Sequence, residues 1–74
     1  PNPARDFINI ILANNQDKST VELITLSGQV IQSADYPEGT SSVTMNINNV
    51  SRGSVLMVKI TTNQQVTVKK IIIE

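Results

Sequence analysis

The residues able to do chemistry in this 74-residue chain are few, and their spacing builds no reaction centre from them. There is no Cys and no His. Thiol catalysis, disulfides and the usual transition-metal sites are therefore excluded together. The carboxylates Asp6, Asp17, Glu22, Asp35 and Glu38 are scattered along the chain. They show no alternating acidic spacing for a calcium loop, and a paired-carboxylate hydrolase needs a longer, cleft-bearing scaffold. Ser27, Ser51 and Tyr36 have no imidazole to activate them. Asn49-Val50-Ser51 fits a glycosylation sequon, but the reading taken is turn chemistry. The expectation is a protein that is not an enzyme and takes no cofactor and no metal. Lys+Arg and Asp+Glu are equal at 6 each, whereas a phosphate-tracking protein needs positive excess. Phe7 and Tyr36 are the only aromatics, too few for a base-stacking platform. Nucleic acid is not an expected partner.

One cluster remains, the run Lys69-Lys70-Ile71-Ile72-Ile73-Glu74. Adjacent residues of a strand point to opposite faces. One Lys can therefore lie along the domain by its aliphatic stem while the other is offered to a partner. The competing explanation is that edge strands carry Lys to resist aggregation. Ile71 to Glu74 form an apolar segment closed by a carboxylate. A receptor could take it by strand addition, or the Ile residues could complete the core. Gly28 and Gly53 fit positions where the backbone must turn tightly. Pro1 and Pro3, flanking Asn2, stiffen the approach to the first strand, since Pro fixes its own φ and restricts its predecessor.

These residues need strands to position them. Ile, Val and Thr are frequent and Leu is scarce, a composition that packs well on pleated surfaces. Six strands are predicted: 6–12, 20–26, 29–34, 42–47, 55–62 and 65–73. Between them lie Ala13–Ser19, a tight turn at Ser27-Gly28, a loop from Asp35 to Ser41 with Pro37 and Gly39, the turn Asn48–Gly53, and a turn at Asn63-Gln64. Val43, Met45 and Ile47 alternate with Thr44, Asn46 and Asn48, as do Leu56, Val58 and Ile60 with Met57, Lys59 and Thr61. The first strand is mixed, with Ile8, Ile10 and Leu12 opposing Phe7, Asn9 and Ile11. The last breaks phase: Val66 and Val68 share a face that continues into Lys70, while Thr67 and Lys69 share the face of Ile71 and Ile73. Either it bulges near the lysines or its end is covered on both sides. Short strands at intervals of about 8–12 residues, with turn signals between them, make an all-β antiparallel sandwich. Its edges remain open to strand exchange between copies, which would give a homodimer.

The chain starts at Pro1 without an initiator Met and reads as one domain cut from a larger protein. A domain this small is expected to be only marginally stable. Its apolar runs fall far short of the ~20 residues that span a bilayer, so direct membrane insertion is not expected.

Specific blocks then resemble a known family. Pro1-Asn2-Pro3-Ala4-Arg5-Asp6-Phe7-Ile8-Asn9-Ile10 looks like the opening of the C-terminal sorting domains of type IX secretion (the Por secretion system), type A. Val21-Glu22-Leu23 through Leu26-Ser27-Gly28-Gln29-Val30-Ile31 resembles their central strand, Gly turn and next strand. Asn49-Val50-Ser51-Arg52-Gly53 with Val58-Lys59-Ile60 is similar to a later block, and Lys69–Glu74 to the terminal signature. In that block Leu56 stands where the family usually has Tyr, one residue later than the commonest spacing. An aliphatic side chain can fill the same core space, but any role of the hydroxyl is lost.

The resemblance implies an immunoglobulin-like sandwich of about six to seven strands at the end of an exported cargo protein of Gram-negative bacteria. It implies transit through the periplasm and passage through the outer-membrane translocon to the cell surface. It also implies, in many cargos, removal by a sortase-like protease with attachment to lipopolysaccharide. Lys69, Lys70, Ile71, Ile72, Ile73 and Glu74 would be the residues the translocon reads. A different class of function, an Ig-like spacer or carbohydrate-binding module of an extracellular protein, is the alternative. Sugar platforms typically present exposed aromatics, of which the chain has two at most.

Overall fold

The computed structural model describes residues 7–12, 17–47, 50–63 and 65–73. Among them six strands form and no helix: β1 (Phe7–Ile11), β2 (Ser19–Thr25), β3 (Val30–Tyr36), β4 (Ser42–Asn46), β5 (Val55–Thr61) and β6 (Val66–Ile72). The largest departure from expectation is in β3, which continues through Asp35 to Tyr36 where a loop was expected. The Asp is accommodated because it faces Thr20 across the β2–β3 pair, and its carboxylate accepts a 2.8 Å hydrogen bond from Thr20 Oγ1. The loop starts at Pro37, whose carbonyl accepts bonds from both the amide and the hydroxyl of Thr40.

All pairings are antiparallel, in two sheets: β3-β2-β5-β6 and β1-β4. Among the described residues the order matches the C′-C-F-G sheet and the B-E pair of an immunoglobulin sandwich. The core forms between the inner stripes. Val21 and Leu23 of β2 and Leu56, Val58 and Ile60 of β5 meet Ile10 and Leu12 from the β1 end and Val43, Met45 and Ile47 from the β4 end, all buried. The alternation expected in β1, β4 and β5 is thus the one observed, with Phe7 and Ile11 turned outward. Leu56 is 3% exposed and fills core space.

A narrow sheet covering a wide one leaves the rims of the wide one less protected. The inner-side residues of β3, Gln32, Ala34 and Tyr36, are half-buried. The Gln32 side-chain amide donates to the Asn46 carbonyl and ties this rim to β4. At the β2–β3 hairpin the loop is Leu26-Ser27-Gly28, with the Gly28 amide bonded to the Thr25 carbonyl and Gly28 at φ 99°. Three-residue hairpin loops place a left-handed residue there. One residue further on, the register shifts between Leu23 and Ile24, which leaves Ile31 as a bulge in β3.

Candidate functional site

The lysine-bearing run lies on β6, an edge strand of the four-stranded sheet. Its position follows from the preceding turn. Thr62 and Gln65 close a tight turn through the Thr62 amide to the Gln65 carbonyl at 2.9 Å, and the Gln65 amide returns to Thr62 Oγ1 at 3.2 Å. A turn of that length fixes register. Ile60 therefore faces Thr67, Val58 faces Lys69, Met57 faces Lys70 and Leu56 faces Ile71.

Cross-strand partners share a face. Thr67, Lys69 and Ile71 accordingly stand on the inner side with the core residues of β5, and Val66, Val68, Lys70 and Ile72 on the outer side. The two lysines point to opposite faces, as expected, and both are exposed. The anticipated bulge or two-sided cover is corrected. The β5–β6 register runs without interruption from Val55–Ile72 to Thr61–Val66; at the strand's end Ile72 is 66% exposed, and Val66 and Val68 earlier on the same face are 56% and 54% exposed. The inner stripe of β5 decides which of the two apolar stripes of β6 is buried, so the valines are left in solvent. These two positions were missed as surface residues, although the two-residue turn carried the register that exposes them.

The three isoleucines have separate fates. Ile73 is 4% exposed, Ile71 packs against the core, and Ile72 is 66% exposed. The end of the strand is fastened to the turn before β5. The Ile73 amide donates to the Ser54 carbonyl at 2.9 Å, and the Gly53 amide donates to the Ile73 carbonyl at 2.6 Å. Gly53 holds φ 85°, a conformation that costs a side-chain-bearing residue about 1–2 kcal/mol. Nothing stands within 4 Å of where its Cβ would be, so the requirement is conformational rather than steric. Two sequence blocks far apart in the chain, the Gly53 turn and the Lys-Lys-Ile run, are thereby one structural unit. Pro1, Asn2, Pro3 and Glu74 lie outside the described residues.

A shallow hollow at the opposite end of the wide sheet is lined by Lys18, Thr20, Asp35, Tyr36, Pro37 and Thr61, among others. Tyr36 in its lining is half-buried and packs against the core.

A family model described as a secretion system C-terminal sorting domain matches residues 1–74, the whole length. The chain belongs to that family, the C-terminal sorting domains of type IX secretion. It is a sorting signal that engages the type IX machinery and sends its parent protein to the cell surface or outside the cell. The family is not one of enzymes. Neither the curated proteins nor the solved structures compared with the chain gave a match.

Proposed function

We propose that the translocon reads this domain as a folded module, mainly through β6 and the Lys69-Lys70 pair, with Ile71 to Glu74 as the end of the address. The carrying observation is that β6 is an edge strand with both lysines exposed, one on each side. An edge strand offers unpaired main-chain groups as well as side chains, which is what strand addition requires. The domain is the end of a larger exported protein that crosses the periplasm before reaching the outer-membrane translocon. A sortase-like protease then removes the domain and the cargo is joined to lipopolysaccharide. The spacer or sugar-binding alternative has less support, because Tyr36 is half-buried against the core and Phe7 of β1 is left as the one largely exposed aromatic.

The test is delivery. Residues 1–74 are fused to a periplasmic reporter in a type IX-competent host, and reporter at the cell surface is measured. Surface reporter is expected with the wild-type domain, and a strong reduction with Lys69→Ala and Lys70→Ala combined, with the fold kept. A wild-type fusion that stays periplasmic would refute the reading. Unfolding of the double variant would return the lysines to a structural role.

A further inference from the structure

The two stripes of β6 differ in what they leave available. On the inner side Ile71 packs against the core, and Lys69 sits at the rim opposite Val58. An inward-pointing charge on an edge strand is a known device against unwanted pairing. The outer side carries Val66, Val68 and Ile72, exposed by 54–66%, with Lys70 among them.

The apolar surface does not stop at the edge. Lys70 faces Met57, Met57 faces Ile24, and Ile24 faces Val30, while Ile72 faces Val55. A largely apolar band, half-buried at Val55, Met57 and Ile24 and exposed at Val30, thus runs from Lys70 and Ile72 across the outer face of the wide sheet. Contiguous exposed apolar surface of this kind marks interaction sites.

The charge within the band is uncompensated by its neighbours in register. Lys70 has Met57 opposite, with Val55 and Lys59 on the diagonals of β5. No carboxylate is among them. Lys59 differs, because it faces Glu22 on β2.

We propose that the outer face of the β5–β6 edge is the docking surface for the secretion machinery. The partner it fits is a protein surface with an apolar strip that bears a carboxylate opposite Lys70. This rests on the reading of β6 as the address and narrows it to one face. Val66, Val68 and Ile72 supply the apolar contact and Lys70 the charge. Lys69, on the inner side, contributes less to this contact, and the buried Ile73 anchors the strand that presents it. Enclosed by apolar contacts, an ammonium–carboxylate bond is shielded from water and sensitive to the loss of either partner.

The test compares the two faces in the same surface-delivery assay, with urea unfolding of each purified domain as a control for folding. Lys70→Glu, and separately Val68→Ser with Ile72→Ser, are expected to lower delivery by about tenfold or more. Lys70→Arg, which keeps the charge, is expected to retain most delivery, and Lys69→Glu, on the other face, to lose clearly less than Lys70→Glu. Outer-face variants that deliver normally would overturn the proposal, as would Lys69→Glu falling as far as Lys70→Glu. Both results leave the address reading intact provided the wild-type domain delivers, so the two failures are distinguishable. Sedimentation adds a further arm. A wild-type dimer that dissolves on Val68→Ser with Ile72→Ser would assign the face to a second copy and also overturn the proposal.

Discussion

The two edges of the wide sheet are strands of the same length, seven residues each, but they meet solvent differently. β3 is interrupted by the bulge at Ile31, carries Ser33 and Asp35 on its outer side, and is tied to the other sheet through Gln32 and Asn46. Bulges and polar side chains are how sheets discourage edge-to-edge pairing. β6 keeps an unbroken register over its whole length and exposes three aliphatic side chains by more than half, against the two less exposed residues Val30 and Ile31 of β3. An unbroken edge strand with exposed aliphatic side chains is a liability for a monomer. Its presence beside a protected edge in the same sheet is understandable when a partner covers it. The difference supports the proposed reading of β6 as the recognised strand.

Ways to break that comparison rank by how much of the core they touch. Ile73→Ala removes a buried side chain from the foot of β6 and is expected to cost about 2–4 kcal/mol. In a domain this small, urea titration should find the variant largely unfolded, whereas Ile72→Ala at the exposed neighbouring position should shift the midpoint little. Gly53→Ala forces a side-chain-bearing residue into φ 85°. The expected loss is about 1–2 kcal/mol, read as a lower thermal midpoint, with greater fraying at Ile73. Gln32→Leu cuts the tie between β3 and β4 and should cost about 0.5–1.5 kcal/mol in chemical denaturation. It would also loosen the protected edge, so concentration-dependent sedimentation in this variant sharpens the contrast with β6. Smallest of all, Lys69→Gln and Lys70→Gln should each change stability by no more than about 0.5 kcal/mol in the same titration. A larger loss would mean that the lysines are structural.

Much of this was legible in the residues, because strict alternation survives wherever one face is buried. Val43, Met45 and Ile47, or Leu56, Val58 and Ile60, identify their own inner stripe, and each strand lies within two residues of its expected span. Three things were harder to read. Asp35 looked like loop chemistry, since nothing local announces that Thr20 will receive it. The bulge at Ile31 hides behind two consecutive apolar residues, Val30 and Ile31. In β6 both stripes hold aliphatic residues, so periodicity alone is undecided. The pairing with β5 settles the matter, and the short turn between Thr62 and Gln65 contains that information. For the candidate site, opposite orientations of Lys69 and Lys70 follow from strand geometry alone. The unequal fates of Ile71, Ile72 and Ile73 do not, because they depend on where the turn at Gly53 meets the strand.

That meeting point also changes how the last strand should behave in time. Terminal segments ordinarily open before the rest of a domain. Here the amide of Ile73 is engaged by the carbonyl of Ser54 and its carbonyl by the amide of Gly53, through main-chain atoms alone. Hydrogen exchange at Ile73 should accordingly slow toward the rate of global opening. Side chains along the Ser51–Ser54 turn could drift through evolution without undoing the clasp, while a proline at position 53 or 73 would remove a donor from it.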